Sequence, residues 1–195
     1  MGCFVVLVVQ AIEEHRGCEV GDFAERWIHT IVKTDMVIET YQEKYKDGIV
    51  QLILNIQQNE FNVPVTINDQ PDLLNIKDVY CRKGGNFWVA VENERIIGTI
   101  ALIDMGNGQA ALRKMFVHAA YRGKEKGIGQ LLLNTLISWC RQKDINEVYL
   151  GTVEQLHAAK RFYLRNGFVK VEKDTLPETF PLMPVDTEFF KLIIV

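Results

Sequence analysis

Three apolar stretches, Phe87 to Val91, Ile96 to Ile103 and Ala110 to Val117, follow one another with only short polar pieces between them. Those pieces, Glu92-Asn93-Glu94-Arg95 and Asp104-Met105-Gly106-Asn107-Gly108, are shorter than the dozen or so residues a parallel crossover needs. Successive strands therefore pair as antiparallel hairpins, with asparagine and glycine at the turns. The middle of this chain is a meander, and the rest of the fold has to be built around it.

Upstream of the meander, Val37-Ile38-Glu39-Thr40 reads as a first strand. From Asp47 to Phe61 the apolar residues Ile49, Val50, Leu52, Ile53, Leu54, Ile56 and Phe61 recur at helical spacing and predict a helix that covers the sheet. Pro64 and Pro71 interrupt that pattern. Asp72 to Ile76 reads as a second short helix, ended by the turn Lys83-Gly84-Gly85-Asn86.

Downstream, Gly127 to Lys143 carries Ile128, Leu131, Leu132, Leu136, Ile137 and Cys140 on one stripe, with Arg141 and Lys143 near the negative end of the helix dipole. Glu147 to Thr152 alternates as a strand, and after such a helix it should lie parallel to its predecessor. A short helix from Leu156 to Asn166 stops at Gly167, which suits a left-handed cap. Two more strands are predicted near Phe168 to Lys173 and Asp186 to Val195. The fold class is α/β (α+β): a mixed, mostly antiparallel twisted sheet flanked by helices.

A chain of 195 residues, 48% hydrophobic and 24% charged, is long enough for one buried core. Its net charge of −3 gives no global positive field for DNA or RNA, so no nucleic-acid partner is expected. The run Phe4 to Val9 is far shorter than a membrane span and has no Lys or Arg before it, so no membrane anchor is expected. Met1-Gly2-Cys3 lacks the Ser or Thr at position 6 that myristoylation requires. Cys3, Cys18, Cys81 and Cys140 form no C-x-x-C pair and suit free thiols in the cytoplasm. A metal set of Cys3, His15, Cys18 and His29 offers one tight ligand pair where zinc sites usually show two, so no metal is expected.

The segment from Val117 to Leu132 carries the chemistry. Gly123, Gly127 and Gly129 allow backbone N–H groups to converge, and the helix that follows points its positive end at the loop, which makes an anion site. Arg122, Lys124 and Lys126 concentrate positive charge in an acidic chain. A dinucleotide-binding fingerprint would open a βαβ unit instead of following a meander. A Walker loop is excluded because no Gly-Lys-Ser/Thr ends the run.

Lys124-Glu125-Lys126-Gly127-Ile128-Gly129 resembles the coenzyme A loop Arg/Gln-x-x-Gly-x-Gly/Ala of the GNAT superfamily of N-acetyltransferases, with Lys at the first position. Tyr121-Arg122-Gly123-Lys124 is similar to the lead-in common in that family. A second block, Ala159-Lys160-Arg161-Phe162-Tyr163-Leu164-Arg165-Asn166-Gly167-Phe168, resembles the family's Ala-x-x-x-Tyr-x-x-x-Gly-Phe element. Leu156 stands where many members have Asn. The resemblance runs from Met36 to the C-terminus, which makes 36–195 an N-acetyltransferase domain and 1–35 an N-terminal extension of unassigned role.

The resemblance implies an enzyme that uses acetyl-coenzyme A and transfers acetyl to an amine of a small molecule, amino acid or peptide by direct attack. The loop residues Arg122, Lys124, Glu125, Lys126, Gly127, Ile128, Gly129 and Gln130 would hold the cofactor, with Ala159 and Phe162 beside it. The backbone of Phe116 and Val117 would hold the pantetheine arm, and Tyr163 would give its proton to the departing thiolate. Glu60, Glu92 and His118 are candidates for the general base, which stays unassigned. Leu176-Pro177, Phe180-Pro181-Leu182-Met183 and Asp186-Thr187 resemble the tail of some small-molecule acetyltransferases of the superfamily. A non-catalytic acyl-coenzyme A sensor is the alternative, and a homodimer is left open.

Overall fold

The computed structural model describes residues 36–154 and 156–195, so the strand-like and amphipathic readings made within 1–35 lie outside the described residues. Seven strands form one sheet: β1 (Val37–Thr40), β2 (Asn86–Glu92), β3 (Arg95–Gly106), β4 (Gln109–Val117), β5 (Glu147–Thr152), β6 (Val169–Val171) and β7 (Glu188–Ile193), in the order β1-β2-β3-β4-β5-β7-β6. Every neighbouring pair is antiparallel except β4 with β5, which is parallel as the intervening helix requires. The β2–β3 turn uses Asn93 and Glu94, at φ 49° and 64°, and the β3–β4 turn uses Asn107 and Gly108, at φ 54° and 72°. Two positive φ angles in a two-residue turn match the right-handed twist of the strands they join.

The helices are α1 (Lys46–Asn55), extended by a π-turn Ile56–Glu60, then α2 (Pro71–Leu74), α3 (Ile76–Tyr80), α4 (Ile128–Gln142) and α5 (His157–Arg165). The one short helix expected around 72–76 is two helices, because Asn75, at φ −127° and ψ 45°, leaves the helical region between them. A short polar side chain that competes with the helix for backbone hydrogen bonds makes Asn a natural break point.

One face of the sheet carries α4 and α5 over a core of Trp88, Ile97, Ile100, Leu112, Val148, Leu150, Phe168 and Phe190. The other face is shared. Helices α1 to α3 cover Phe87, Val89, Val91 and Ala101, and the 176–187 tail lays Phe180 over Ala111, Tyr149 and Phe189. The stripe of α4 differs from the sequence reading at one step: Leu133 is fully buried, whereas Leu131 is 42% exposed. At about 100° per residue, Ile128, Leu132, Leu136 and Cys140 sweep an arc of about 120°, and Leu133 lies only about 20° beyond its Cys140 edge while Leu131 lies about 60° before its Ile128 edge. We therefore expect Leu133→Ala to cost about 3 kcal/mol of unfolding free energy in urea titration, and Leu131→Ala less than about 1.

The feature that positions the site is where β4 and β5 part. Their pairing is confined to Gln109 with Glu147, Ala110 with Val148 and Ala111 with Tyr149. Beyond these, β5 stays with β7 as far as Thr152 and β4 stays with β3 as far as Val117. The closed end is pinned by Glu147, which accepts from Gln109 Nε2 at 2.9 Å, from Tyr149 Oη at 2.8 Å and from Lys191 Nζ at 2.5 Å. These donors, Lys191 foremost, hold its carboxyl down to about 2.

Candidate active site

Four pieces of chain meet at the open end of the gap. The first is the loop after β4. Gly127 caps α4 at φ 66°, and the first backbone bond of the helix runs from Leu131 N to Gly127 O at 3.0 Å. The N–H groups of Ile128, Gly129 and Gln130 precede that bond, as the opening turn of any helix leaves them, and the dipole favours an anion there. Lys124, Glu125 and Lys126 are exposed around this opening. The side chain of Gln130 is used elsewhere: its Nε2 donates to Asn166 Oδ1 at 2.7 Å and ties α4 to the end of α5.

Arg122 is held in a particular way. Its guanidinium pairs with Glu60 at 2.6 Å, and its Nε donates to the carbonyl of Val117 at 2.7 Å. The π-turn at the end of α1 presents Glu60 to it, in keeping with the frequent use of such turns at functional sites. A phosphate entering the loop would meet Arg122 already shared with a carboxylate.

The second piece is the backbone of β4. Val117 stands opposite Gly98, Phe116 opposite Thr99, and His118 N donates to Ile97 O at 2.9 Å. Backbone groups alternate in direction along a strand, so those of Phe116 turn toward β3 and those of Met115 and Val117 turn into the gap. Of the two residues expected from the sequence to offer backbone to the cofactor, Val117 thus turns its groups into the gap beside Met115, and Phe116 turns its groups to β3.

This orientation comes from a β-bulge. Lys114 and Met115 together face the single residue Ile100, and Lys114 sits at φ 49°. The two-for-one count puts Arg113 and Lys114 on the same side of the sheet, a departure from strict alternation that the sequence does not announce. Thr99 Oγ1 donates to the Lys114 carbonyl at 2.7 Å and fixes the bulge.

The third piece is α5. Ala159 and Phe162 pack against the core beneath α4, and a side-chain carbon placed on Gly129 would lie 3.8 Å from the Phe162 ring and 3.7 Å from Met115 Cε. The loop, the strand and this helix are therefore in mutual contact. Tyr163 is buried, with ring centroids 5.4 Å from Phe168 and 6.3 Å from Phe190. Burial pushes its phenol well above the ordinary tyrosine range, so at neutral pH it is a proton donor and not an acceptor.

The fourth piece lies on the face of the bulge. Lys114, almost fully buried, reaches Asp72 at 3.0 Å and Gln70 Oε1 at 2.8 Å, and Tyr80 also donates to Asp72. Burial lowers the Lys114 ammonium while Asp72 supports it. Arg113 donates to the Pro181 carbonyl at 2.7 Å. Beside it Asp186 lies against Gly151 of β5, so closely that any side-chain carbon on Gly151 would overlap its carboxyl. None of Gln70, Asp72, Tyr80, Arg113, Lys114 and Asp186 was singled out from sequence as a site residue. A charged pair, Arg113-Lys114, inside an otherwise apolar strand was the one available signal.

The three candidates for the base are each engaged with another group. Glu60 pairs with Arg122, Glu92 accepts from Tyr121 Oη, and His118 accepts the Ala120 amide at 3.3 Å as the cap of a short turn. The Cys3, His15, Cys18 and His29 set lies outside the described residues. Among the described residues no group of three or more His, Cys, Asp or Glu side chains could hold a metal ion, and no helix is long and apolar enough to cross a membrane.

Comparison with known proteins bears on this arrangement. The family model described as Acetyltransferase (GNAT) family matches residues 50–168. An acetyltransferase of that family from Staphylococcus aureus Mu50 superposes with a TM-score of 0.78 at 40% identity, over 82% of this chain and 99% of its own. An acetyltransferase from Streptococcus agalactiae gives 0.78 at 27% identity, over 81% of this chain and 98% of its own. Among curated sequences, rat (Rattus norvegicus) N-acetyltransferase 8F1 is 27% identical over 121 residues, 60% of this chain and 54% of the relative. The chain spans about half the length of the curated relatives it matches.

Proposed function

The chain belongs to the acetyltransferase (GNAT) family, and from that premise we propose that it transfers acetyl from acetyl-coenzyme A to a primary amine of a small molecule, amino acid or peptide by direct attack. The observation that carries the reading is the parting of β4 from β5 beside the free amides of the α4 opening turn. A thioester carrier has two parts that such a site accommodates. Its diphosphate suits the amides of Ile128, Gly129 and Gln130, with Arg122, Lys124 and Lys126 adding charge. Its extended amide-bearing arm suits a strand edge left without a partner, which it can pair as an added strand would. Val117 and Met115 would make those bonds, and Ala159 and Phe162 would flank the arm.

The chemistry follows from ionisation. An alkylamine with pKa about 10 is mostly protonated at neutral pH and must lose a proton before it attacks. The nitrogen then forms a bond to the thioester carbon, the carbon–sulfur bond breaks, and sulfur leaves as a thiolate that takes the Tyr163 proton. The nitrogen releases a second proton as the amide forms, which restores the phenol. The net products are an N-acetyl amide, free coenzyme A and one proton. In this reading residues 36–195 form the catalytic domain. Free thiols at Cys81 and Cys140 support a cytoplasmic location.

Calorimetry with acetyl-coenzyme A, followed by a thiol-release assay over amino acids, spermidine and a lysine-containing peptide, tests the reading. We expect heat from binding and turnover with at least one amine. Binding without turnover on any of these would favour an acyl-coenzyme A sensor, and no binding at millimolar ligand would remove the reading altogether.

A further inference from the structure

Beyond the parting of β4 and β5, the carboxylate of Asp186 sits on the face where an acceptor would approach, and the tail resemblance that includes it gives it no role. Val148 and Leu150 of β5 point into the α4–α5 core, so Tyr149 and Gly151 face the other way. Had the parallel register continued past Ala111 and Tyr149, Arg113 would stand opposite Gly151. Asp186 lies on Gly151, and the side of that residue toward β4 is the gap itself.

The carboxyl is held from its own loop. Its Oδ2 accepts from Met183 N at 3.3 Å, and Asp186 N donates to Met183 O at 3.0 Å. Thr187 locks the loop to the end of β5: its N–H donates to Thr152 O at 2.9 Å, and its hydroxyl accepts from Glu154 N at 3.0 Å. On the β4 side the loop is fastened by Arg113 to Pro181. The carboxylate is thus fixed over a residue without a side chain, between two anchors.

Resting on the acetyl-transfer reading above, we propose that Asp186 is the general base of this enzyme: it receives the acceptor's ammonium group and takes the proton that must leave before nitrogen attacks the thioester carbon. The proton passes from nitrogen to the Asp186 carboxylate and then to solvent, while the leaving sulfur draws its proton from Tyr163. The balance needs no further reactant. Glycine at 151 is required because any larger residue would push the carboxyl off the strand.

The electrostatic surroundings suit the task. Burial raises the Asp186 carboxyl above the ordinary aspartate range, with Arg113 and the Met183 amide acting against it. A more basic carboxylate is a better proton acceptor near neutral pH. From β4, Arg113 is the charge that acts on it, and the same guanidinium acts on Tyr80 of α3 and on Lys114. Asp72 of α2 neutralises Lys114, and β5 presents two titratable groups on this face, Tyr149 and the Glu147 carboxylate that accepts its hydroxyl.

The test is Asp186→Asn, which keeps an acceptor for the Met183 amide. With acetyl-coenzyme A and the best of the amino acids, spermidine and lysine peptide as probe, kcat should fall about 10²-fold. Acetyl-coenzyme A affinity by calorimetry should not change. The acidic limb of the wild-type pH–rate profile should move to higher pH, to where the amine loses its own proton in solution. Formate added to Asp186→Ala should partly restore turnover, a readout that a role in holding the loop would not move. An unchanged kcat in Asp186→Asn, or a reduced kcat with the acidic limb in place and no formate rescue, overturns the assignment while leaving acetyl transfer intact. If the wild type acetylates none of the probes, the acetyl-transfer reading fails first and takes this one with it.

Discussion

Tyr163→Phe is expected to lower kcat by roughly 10²- to 10⁴-fold, the range for loss of a general acid, with acetyl-coenzyme A affinity unchanged. The substitution removes one oxygen and leaves the ring, whose contacts with Phe162, Phe168 and Phe190 make up its part in the core. Stability should therefore move little. Burial keeps the phenol protonated across the working pH range, so the loss should be uniform with pH below the alkaline limit. It should also depend on the leaving group, because a thiol of low pKa leaves without help while coenzyme A, with pKa near 8.5 by analogy with cysteine, does not. Turnover of an aryl thioester that recovers in Tyr163→Phe while coenzyme A turnover does not would mark the missing proton. Equal losses on both would assign Tyr163 to packing.

Asp72→Ala should be the most destabilising single change among the polar residues described, at about 3–5 kcal/mol in urea titration. It strands the Lys114 ammonium, 6% exposed, with Gln70 as its remaining partner, and deprives Tyr80 of the acceptor for its hydroxyl. The sign of the pH dependence follows from the Lys114 shift. Its folded-state pKa is already lowered by burial, and removal of Asp72 lowers it further. Between that value and the ordinary lysine pKa the unfolded chain binds more protons, so the variant regains stability as pH rises. Lys114→Met in the same background should recover part of the loss. The exposed pair Arg82–Asp78, at 2.7 Å, is the control: Asp78→Ala should cost less than about 1 kcal/mol.

Much of the framework could be read from local chemistry. Asn107-Gly108 at a hairpin, Val148 and Leu150 alternating in β5, and Gly167 closing α5 are each determined by a few adjacent residues. That the loop from Arg122 to Gly129 opens a helix was legible because the apolar stripe of α4 begins at Ile128, directly after Gly127. What stayed hidden depends on contacts between distant segments. Nothing near Asp186 in the sequence says that it lies on Gly151, and nothing near Glu60 says that Arg122 comes to it. Leu131 and Leu133 lie beyond opposite edges of the α4 stripe, and which of the two is buried depends on the strands beneath it. The bulge was invisible for a related reason: Lys114 adopts a positive φ because Thr99 and Asp72 hold it there, and neither is its neighbour in sequence.

That bulge also dictates what this stretch of chain can tolerate over time. It resets the parity of β4, so that Met115 and Val117 pack toward α4 while Phe116 packs toward α1. Exchanging one side chain for another here alters a contact. Deleting or inserting a single residue between Leu112 and Phe116 would turn the rest of the strand over, sending Phe116 under α4 and the gap-facing amides toward β3. In related chains the spacing from Ala111 to Gly127 should accordingly vary after Val117, in the exposed loop, and hold constant before it.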